Sequence, residues 1–214
     1  MHIAELWRYP VKSMAGEPLT RAEISIDGIA GDRAAIVVRD DRIITARTHP
    51  RLLRHHATLD ATGEPLIDGE RWDSDAVAQW VRDDAGPDAR LIRYDGPERF
   101  DVLPLLVATD GAIRALGEDA RRLRPNLIVG GVDGLAERSW EGKFLRVGGV
   151  VIRIHDLRQR CVMTTYDPDT QKQNIGVLKK IVCDFDGLMA LNCSVEAGGV
   201  IEIGQTAEIA DSPF

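Results

Sequence analysis

Short β-favouring runs, each closed by glycine or aspartate, limit what this chain can fold into. In the first third these runs are Ile3 to Trp7, Arg21 to Ile26, Ala34 to Val38 and Arg42 to Thr45. Gly16, Asp27-Gly28, Gly31-Asp32 and Asp40-Asp41 punctuate them. The adjacent pair Asp40-Asp41 suits a tight hairpin turn, since aspartate tolerates left-handed backbone better than most side chains. Further strands are expected at Ala57 to Leu59, Pro65 to Ile67 and Arg90 to Tyr94.

Helical spacing is rarer. Ser74 is a cap for a helix carrying Ala76, Val77, Trp80 and Val81, which Gly86-Pro87 ends. Val102 to Ala108 is an apolar, buried run, after which Thr109 or Asp110 caps a helix with Ile113, Leu116 and Leu123 inward. Asn126 to Val129 is a short strand entered through Arg124-Pro125. Phe144 to Val147 and Val150 to Ile154 flank Gly148-Gly149 as a hairpin. Asn174 caps a last helix with Val177, Leu178, Ile181 and Val182 inward, and alternating strands broken by Gly198-Gly199 and Gly204-Gln205 close the chain. Strands and helices do not alternate regularly, which argues against a doubly wound parallel sheet. The expected class is α+β and β-dominated, with a soft boundary at Asp95-Gly96-Pro97-Glu98.

The 214 residues suffice for one large β-rich domain or two packed smaller ones. A net charge of −7 argues against a general nucleic-acid binder, whose affinity comes from a positive face. A local basic pocket inside this acidic shell would suit a small anionic cofactor. No apolar run approaches the roughly 20 residues needed to span a membrane. The start Met1-His2-Ile3-Ala4-Glu5-Leu6 lacks the pattern of a signal peptide, so a cytoplasmic location is expected.

The three cysteines, Cys161, Cys183 and Cys193, form neither a disulfide framework nor a C-x-x-C zinc signature. Cys183 and Cys193 read as structural. Cys161 follows Arg160 at the head of a β-branched, strand-like run that Asp167-Pro168-Asp169-Thr170 stops. Its thiolate could bind a soft metal, attack an electrophile, or fill a core.

Anion binders are spread along the chain. Lys12 and Ser13, on the turn Tyr9-Pro10-Val11-Lys12-Ser13-Met14, could hold a phosphate with neighbouring backbone N–H groups, or form a solvated turn. Arg33 of Gly31-Asp32-Arg33 could pair with phosphate or carboxylate, or simply with Asp32. Asn126 offers donor and acceptor to the edge of a heterocycle, or marks strand entry. A histidine zinc site is not expected, because the adjacent pair His55-His56 would point to opposite faces of a strand and no His-x-His or His-x₃-His pattern occurs elsewhere. A serine-hydrolase elbow and the common phosphate loops are absent.

In their order, Tyr9-Pro10-Val11-Lys12-Ser13, Gly31-Asp32-Arg33, Arg124-Pro125-Asn126-Leu127-Ile128-Val129 and Arg160-Cys161 with Asp167-Pro168-Asp169-Thr170 resemble MOSC-domain proteins. Among these the chain resembles the molybdenum amidoxime-reducing component and its bacterial relatives, over nearly its whole length. Glu137-Arg138-Ser139-Trp140 also looks like the family's acidic-x-x-Trp segment. The resemblance implies an N-terminal β-barrel-like domain over residues 1–95 packed with a MOSC β-barrel domain over residues 96–214. It implies a molybdenum cofactor (molybdopterin), with Cys161 as the thiolate on molybdenum, a soft ligand on a metal that favours sulfur. Lys12, Ser13 and Arg33 would hold its phosphate, with Arg47 a further basic candidate. Asn126 and Arg160 would bond the pterin. Thr109 and Asp110 fall where relatives place a loop near the metal, making Cys161 and Asp110 the catalytic candidates.

The implied activity is reduction of small N-hydroxylated substrates, such as amidoximes or hydroxylated base analogues. A cofactor carrier and a Cys161 persulfide sulfur-transfer protein are the alternatives. No cysteine cluster follows Thr206, so no fused ferredoxin is expected, nor a membrane anchor. Electrons are expected from a separate flavin, iron–sulfur or cytochrome partner. Pyridoxal phosphate binding is not expected. One departure from the family pattern is Gln171-Lys172 after the Asp-Pro-Asp-Thr turn, where relatives often have glycine.

Overall fold

Ile3 and Leu6, the fully buried residues of His2–Arg8 on either side of a register irregularity between Ile3 and Glu5, and the fully buried run Leu127–Gly130 explain why these two segments pair. The computed structural model describes residues 1–213. Its largest unit is an eight-stranded sheet in the order Glu208–Ala210, Phe144–Val147, Val150–Gln159, Leu188–Ala197, Leu105–Thr109, Leu127–Gly130, His2–Arg8, Glu17–Leu19. One pairing in it is parallel, Leu105–Thr109 with Leu127–Gly130, and helix α2 (Asp110–Leu116) lies in the connection between them.

Three small sheets complete the β structure. Ala35–Arg39 is flanked by Arg90–Arg93 and Arg42–Ile44, Arg21–Ser25 by Gly199–Glu202 and Gly28–Ile29, and Pro65–Ile67 by Ala57–Leu59 and Glu70–Arg71. The expected Asp40-Asp41 hairpin is present, with φ of 50° and 56° at its two residues. Helix α1 (Asp75–Ala85) is capped by Ser74 Oγ, which accepts from Val77 N at 3.3 Å. Helix α3 (Ile175–Phe185) is capped by Asn174.

Three expectations change here, the first at Val102, which was expected in a buried run but is 55% exposed, ahead of a strand that starts at Leu105. Val182 was expected inward on α3 but is 56% exposed. The buried stripe runs Val177, Ile181, Phe185 at four-residue steps, and Val182 lies one position beyond it. The run after Cys161 is not a strand. Residues Val162–Thr165 form a 3₁₀ turn in which Thr164 and Thr165 direct their hydroxyls to the carbonyls of Cys161 and Val162, at 2.9 and 2.6 Å. Local side-chain bonding to the backbone outcompetes the β propensity of these residues.

Two main cores result. Val11, Val37, Leu52, Ile67, Val77 and Val81 line one, packed by α1. The other, beneath the large sheet, draws Ile3, Leu6, Ala22, Ile24 and Ile29 from the N-terminal part and Leu127, Ile152, Leu191 and Val195 from the rest. Strands from both sides of residue 95 therefore share one sheet and one core.

Candidate functional site

The strand Val150–Gln159, as long as its neighbour Leu188–Ala197, carries the chain to the cysteine turn. It pairs with Leu188–Ala197 through three register irregularities, between Val151 and Ile152, Ile154 and Asp156, and Leu157 and Gln159. Directly beyond it come Arg160 and Cys161. Asp167 fixes the other end of the Cys161 turn. One carboxylate oxygen accepts from Asp169 N, Thr170 N and Thr170 Oγ1 at 3.2, 2.9 and 2.9 Å, and the other accepts from Arg122 at 3.1 Å. Gln171 and Lys172 continue this turn, with Gln171 left-handed at φ 55° in the position where a glycine would be unstrained.

The opposite wall is built from the N-terminal half. Lys12 N bonds Ala35 O at 2.9 Å, Arg33 N bonds Tyr9 O at 2.7 Å and Ala35 N bonds Pro10 O at 3.1 Å, so the Tyr9–Ser13 turn lies along the segment carrying Arg33. Ser13, Arg33 and Arg124 all have left-handed backbone, with φ of 72°, 51° and 55°. Such conformations in non-glycine residues cluster where surrounding structure enforces a functional shape. Buried Asp32 ties the three segments together, accepting from Tyr9 N at 2.7 Å and Asn126 Nδ2 at 3.1 Å and pairing with the Arg33 guanidinium.

Between these walls lies a cleft of about 810 Å³, its open mouth included. Lys12, Ser13, Arg33, Arg47, Asn126, Arg160 and Cys161 all line it. Thr109 and Asp110 do not. Thr109 caps α2 and donates to buried Glu137 at 3.1 Å, while Asp110 accepts from Gly131 N and Val132 N at 3.0 Å each and pairs with Arg114 at 2.7 Å. Both are spent in fastening α2 to the 131–137 loop. Gly111 shows how close that fit is, since a Cβ there would lie 2.3 Å from Gly134 O.

Asp101, which no local pattern marks, organises the cleft's charges. Its carboxylate takes Lys12 at 2.9 Å, Arg47 at 2.8 Å and Arg158 at 3.0 Å, cations from three separate segments. Burial alone would push its pKa up, but these charges hold the carboxyl down at about 2. Lys12 uses its remaining donors on Glu98 O and Arg99 O, at 3.2 and 2.9 Å, and burial lowers its pKa. Arg47 also faces the Cys161 sulfur. Arg122, Arg124 and Arg158 are the lining cations absent from the expected set. Arg124 stands in the Arg124-Pro125-Asn126 motif without having been given a role, while nothing in the local sequence of Arg122 or Arg158 separates them from surface arginines.

Several groups in the cleft have capacity left over. Arg160 donates from Nη2 to Leu123 O at 2.7 Å, but its Nε is buried without a partner, and burial lowers its pKa to about 10. Arg124, also lowered to about 10 by burial, makes no hydrogen bond or ion pair among the described residues and stacks 4.3 Å from the Tyr9 ring centroid. The Ser13 hydroxyl is likewise unbonded among the described residues. Asn126 is committed, its Oδ1 accepting from Leu106 N at 3.1 Å and its Nδ2 donating to Trp7 O at 3.3 Å as well as to Asp32. Cys161 is a free, half-buried thiol, whereas Cys193 is sealed in the core, where burial pushes its thiol pKa up, and Cys183 is exposed on α3. Seven cations (Lys12, Arg33, Arg47, Arg122, Arg124, Arg158, Arg160) thus line a cleft with one lining carboxylate, Asp101, and one thiol. That donor set fits an anionic, polydentate group carrying a soft-ligand metal.

Residues 1–77 match the MOSC N-terminal beta barrel domain, and residues 109–208 the MOSC domain. The chain is 26% identical over 94% of its length to mitochondrial amidoxime reducing component 2 of Macaca fascicularis, covering 81% of that protein. Over 83% of its length it is 26% identical to the human mitochondrial amidoxime-reducing component 1. The molybdenum cofactor sulfurase of Caenorhabditis briggsae is 24% identical over 82% of the chain, which covers 30% of that protein. Among solved structures, the YUAD protein from Bacillus subtilis has a TM-score of 0.54 at 15% identity, covering 97% of this chain and 94% of that one, and shares the fold. No helix among the described residues is long and apolar enough to cross a membrane. Both domains follow in order along one β-dominated chain, which is a MOSC-domain protein resembling the amidoxime reducing components.

Proposed function

We propose that the chain is a molybdenum-cofactor-dependent reductase of small N-hydroxylated compounds, fed by a separate redox protein. The observation that carries this reading is the meeting of the Cys161 thiol with a cation-lined cleft assembled from both halves of the molecule. Cys161 would ligate the metal, Lys12, Ser13 and Arg33 would face the cofactor's phosphate, and Arg124 and Arg160 would face its pterin. Once bound, the cofactor supplies the two-electron reduction that removes the N-hydroxyl oxygen.

The protein's own contribution is positional. Asp32 holds the Tyr9, Arg33 and Asn126 segments in register, and Asp167 holds the Cys161 turn. Relatives named as amidoxime reducing components support the substrate class, and the Cys161 environment supports the metal.

The test is metal analysis and benzamidoxime reduction with an artificial electron donor, on protein made in a cofactor-competent host. Wild type is expected to carry molybdenum and turn over, and Cys161→Ser to lose both. Retention of full metal and activity by that variant overturns the assignment. Bound metal without reduction of any N-hydroxy compound would instead identify a carrier, and a +32 Da adduct on Cys161 after treatment with a sulfur donor would identify sulfur transfer.

A further inference from the structure

Two guanidiniums in the cysteine cleft are left over once the proposed cofactor has its partners. Lys12 and Arg33 are assigned to its phosphate and Arg124 and Arg160 to its pterin, while Arg122 is spent on Glu118 and Asp167 at 3.1 Å each. Arg47 and Arg158 remain, both lining the cleft with Cys161, and Arg47 faces the sulfur. They reach the same oxygen, Asp101 Oδ2, at 2.8 and 3.0 Å, so the two cations sit side by side. Lys12 takes the other oxygen at 2.9 Å. One carboxylate among three cations leaves a positive excess where a substrate has to approach Cys161.

Arg158 is the more firmly built of the pair. Its side chain is 15% exposed, against 41% for Arg47. A register irregularity between Ile154 and Asp156 sets Asp156 opposite Asn192 on the neighbouring strand. Asn192, itself 5% exposed, donates from Nδ2 to Asp156 at 2.6 Å. An ionised carboxylate only accepts, so the Asn192 amide is fixed with Oδ1 towards Arg158, at 3.3 Å. Arg158 is thereby held through Nη1 by Asn192 and through Nη2 by Asp101, and its Nε has no partner among the described residues.

Apolar side chains stand beside this cation. Val102, 55% exposed, lines the cleft together with Leu103 and Met163. A guanidinium with a donor to spare next to an apolar rim suits a small molecule with an apolar body and a planar acidic group. A cationic substrate would be repelled by Arg47 and Arg158, and a neutral one would gain nothing from them.

We propose that Arg158, set by Asn192, is the specificity-determining residue of this site, anchoring the carboxylate of an N-hydroxylated acid. The inference deepens the proposed function and rests on it. In the reaction the N–O bond breaks, the redox partner supplies two electrons, two protons are taken up and the oxygen leaves as water.

The test compares 4-carboxybenzamidoxime with its methyl ester, the neutral isostere, on molybdenum-loaded protein. Reduction with an artificial electron donor gives kcat and KM, and calorimetry without any donor gives binding. Wild type should favour the acid about tenfold in both, through KM rather than kcat, as one added charge-assisted hydrogen-bonded pair requires. Arg158→Met should bring the two compounds level, and Arg158→Lys should restore part of the preference. Asn192→Leu should raise KM for the acid more than for the ester and keep kcat for the acid. Asp101→Asn should widen the preference. Metal content and far-UV circular dichroism check that each variant loads and folds. With both compounds reduced, equal treatment of acid and ester by wild type, or a preference that survives Arg158→Met, overturns the proposal and leaves the proposed function standing. If neither compound is reduced, the proposed function falls and calorimetry decides the anchor. Tighter binding of the acid that is lost in Arg158→Met supports it, and equal binding overturns it.

Discussion

Asp101 is the residue on which the cleft's electrostatics turn. Replacing it by asparagine removes the carboxylate shared by Lys12, Arg47 and Arg158. Inorganic pyrophosphate should then bind about tenfold more tightly by calorimetry, since one like charge has been taken from the ligand's path. The same change should cost about 1–2 kcal/mol of stability at neutral pH, discounted for the partial exposure of the carboxylate. The folded pKa of about 2 lies below the ordinary 3.8, so the folded state favours the deprotonated form. The contribution is complete above about pH 4 and disappears as pH falls towards 2, so urea midpoints of wild type and Asp101→Asn should converge in acid. Thiol accessibility gives a second check. Cys161 and Cys183 should react with a thiol reagent in the native state and Cys193 only after denaturation, because that side chain is sealed in the core.

At the level of elements, the 3₁₀ turn Pro50–Arg54, the hairpin end at Asp68 and helix α1 meet on one histidine. His55 bonds Asp68 through Nδ1 at 2.5 Å and Asp84 through Nε2 at 2.9 Å, with its ring stacked 5.7 Å from Trp80. His55→Leu should cost about 2 kcal/mol in urea denaturation, because it takes the hydrogen-bond partner from one oxygen of the fully buried Asp84 carboxylate and leaves it only Arg54, at 2.9 Å from the other. A loss below about 1 kcal/mol would show the network to be dispensable. The adjacency of His55 and His56 does reveal that they diverge, since His56 is exposed. What the histidine does instead depends on carboxylates 13 and 29 residues away, which no local pattern links to it. Caps and turns were legible for the opposite reason. Ser74, Asn174 and Asp40-Asp41 act on backbone within a few residues of themselves. The Cys161 run misled because threonine hydroxyls can serve a tight turn as well as a sheet.

Across the whole molecule, the large core takes side chains from both ends of the chain. Unfolding is therefore expected as one transition. Far-UV circular dichroism should coincide with the fluorescence of Trp72 and Trp80, which pack against one core, and of Trp140, which lies in the other. Two separated transitions would show that the halves fold independently. The cleft was readable where ordered motifs supply it, as with Lys12, Arg33, Asn126 and Cys161. Asp101 stayed hidden because its partners Lys12 and Arg158 lie 89 and 57 positions away.

Asp101 also has a bearing on maturation. A cluster of arginines and a lysine would resist being brought together in a nascent polypeptide that had yet to meet its cargo. With a carboxylate of its own in their midst, the chain can reach its final shape before loading, and insertion becomes an exchange of one counter-ion for another. Protein made without the proposed cofactor should accordingly be well folded.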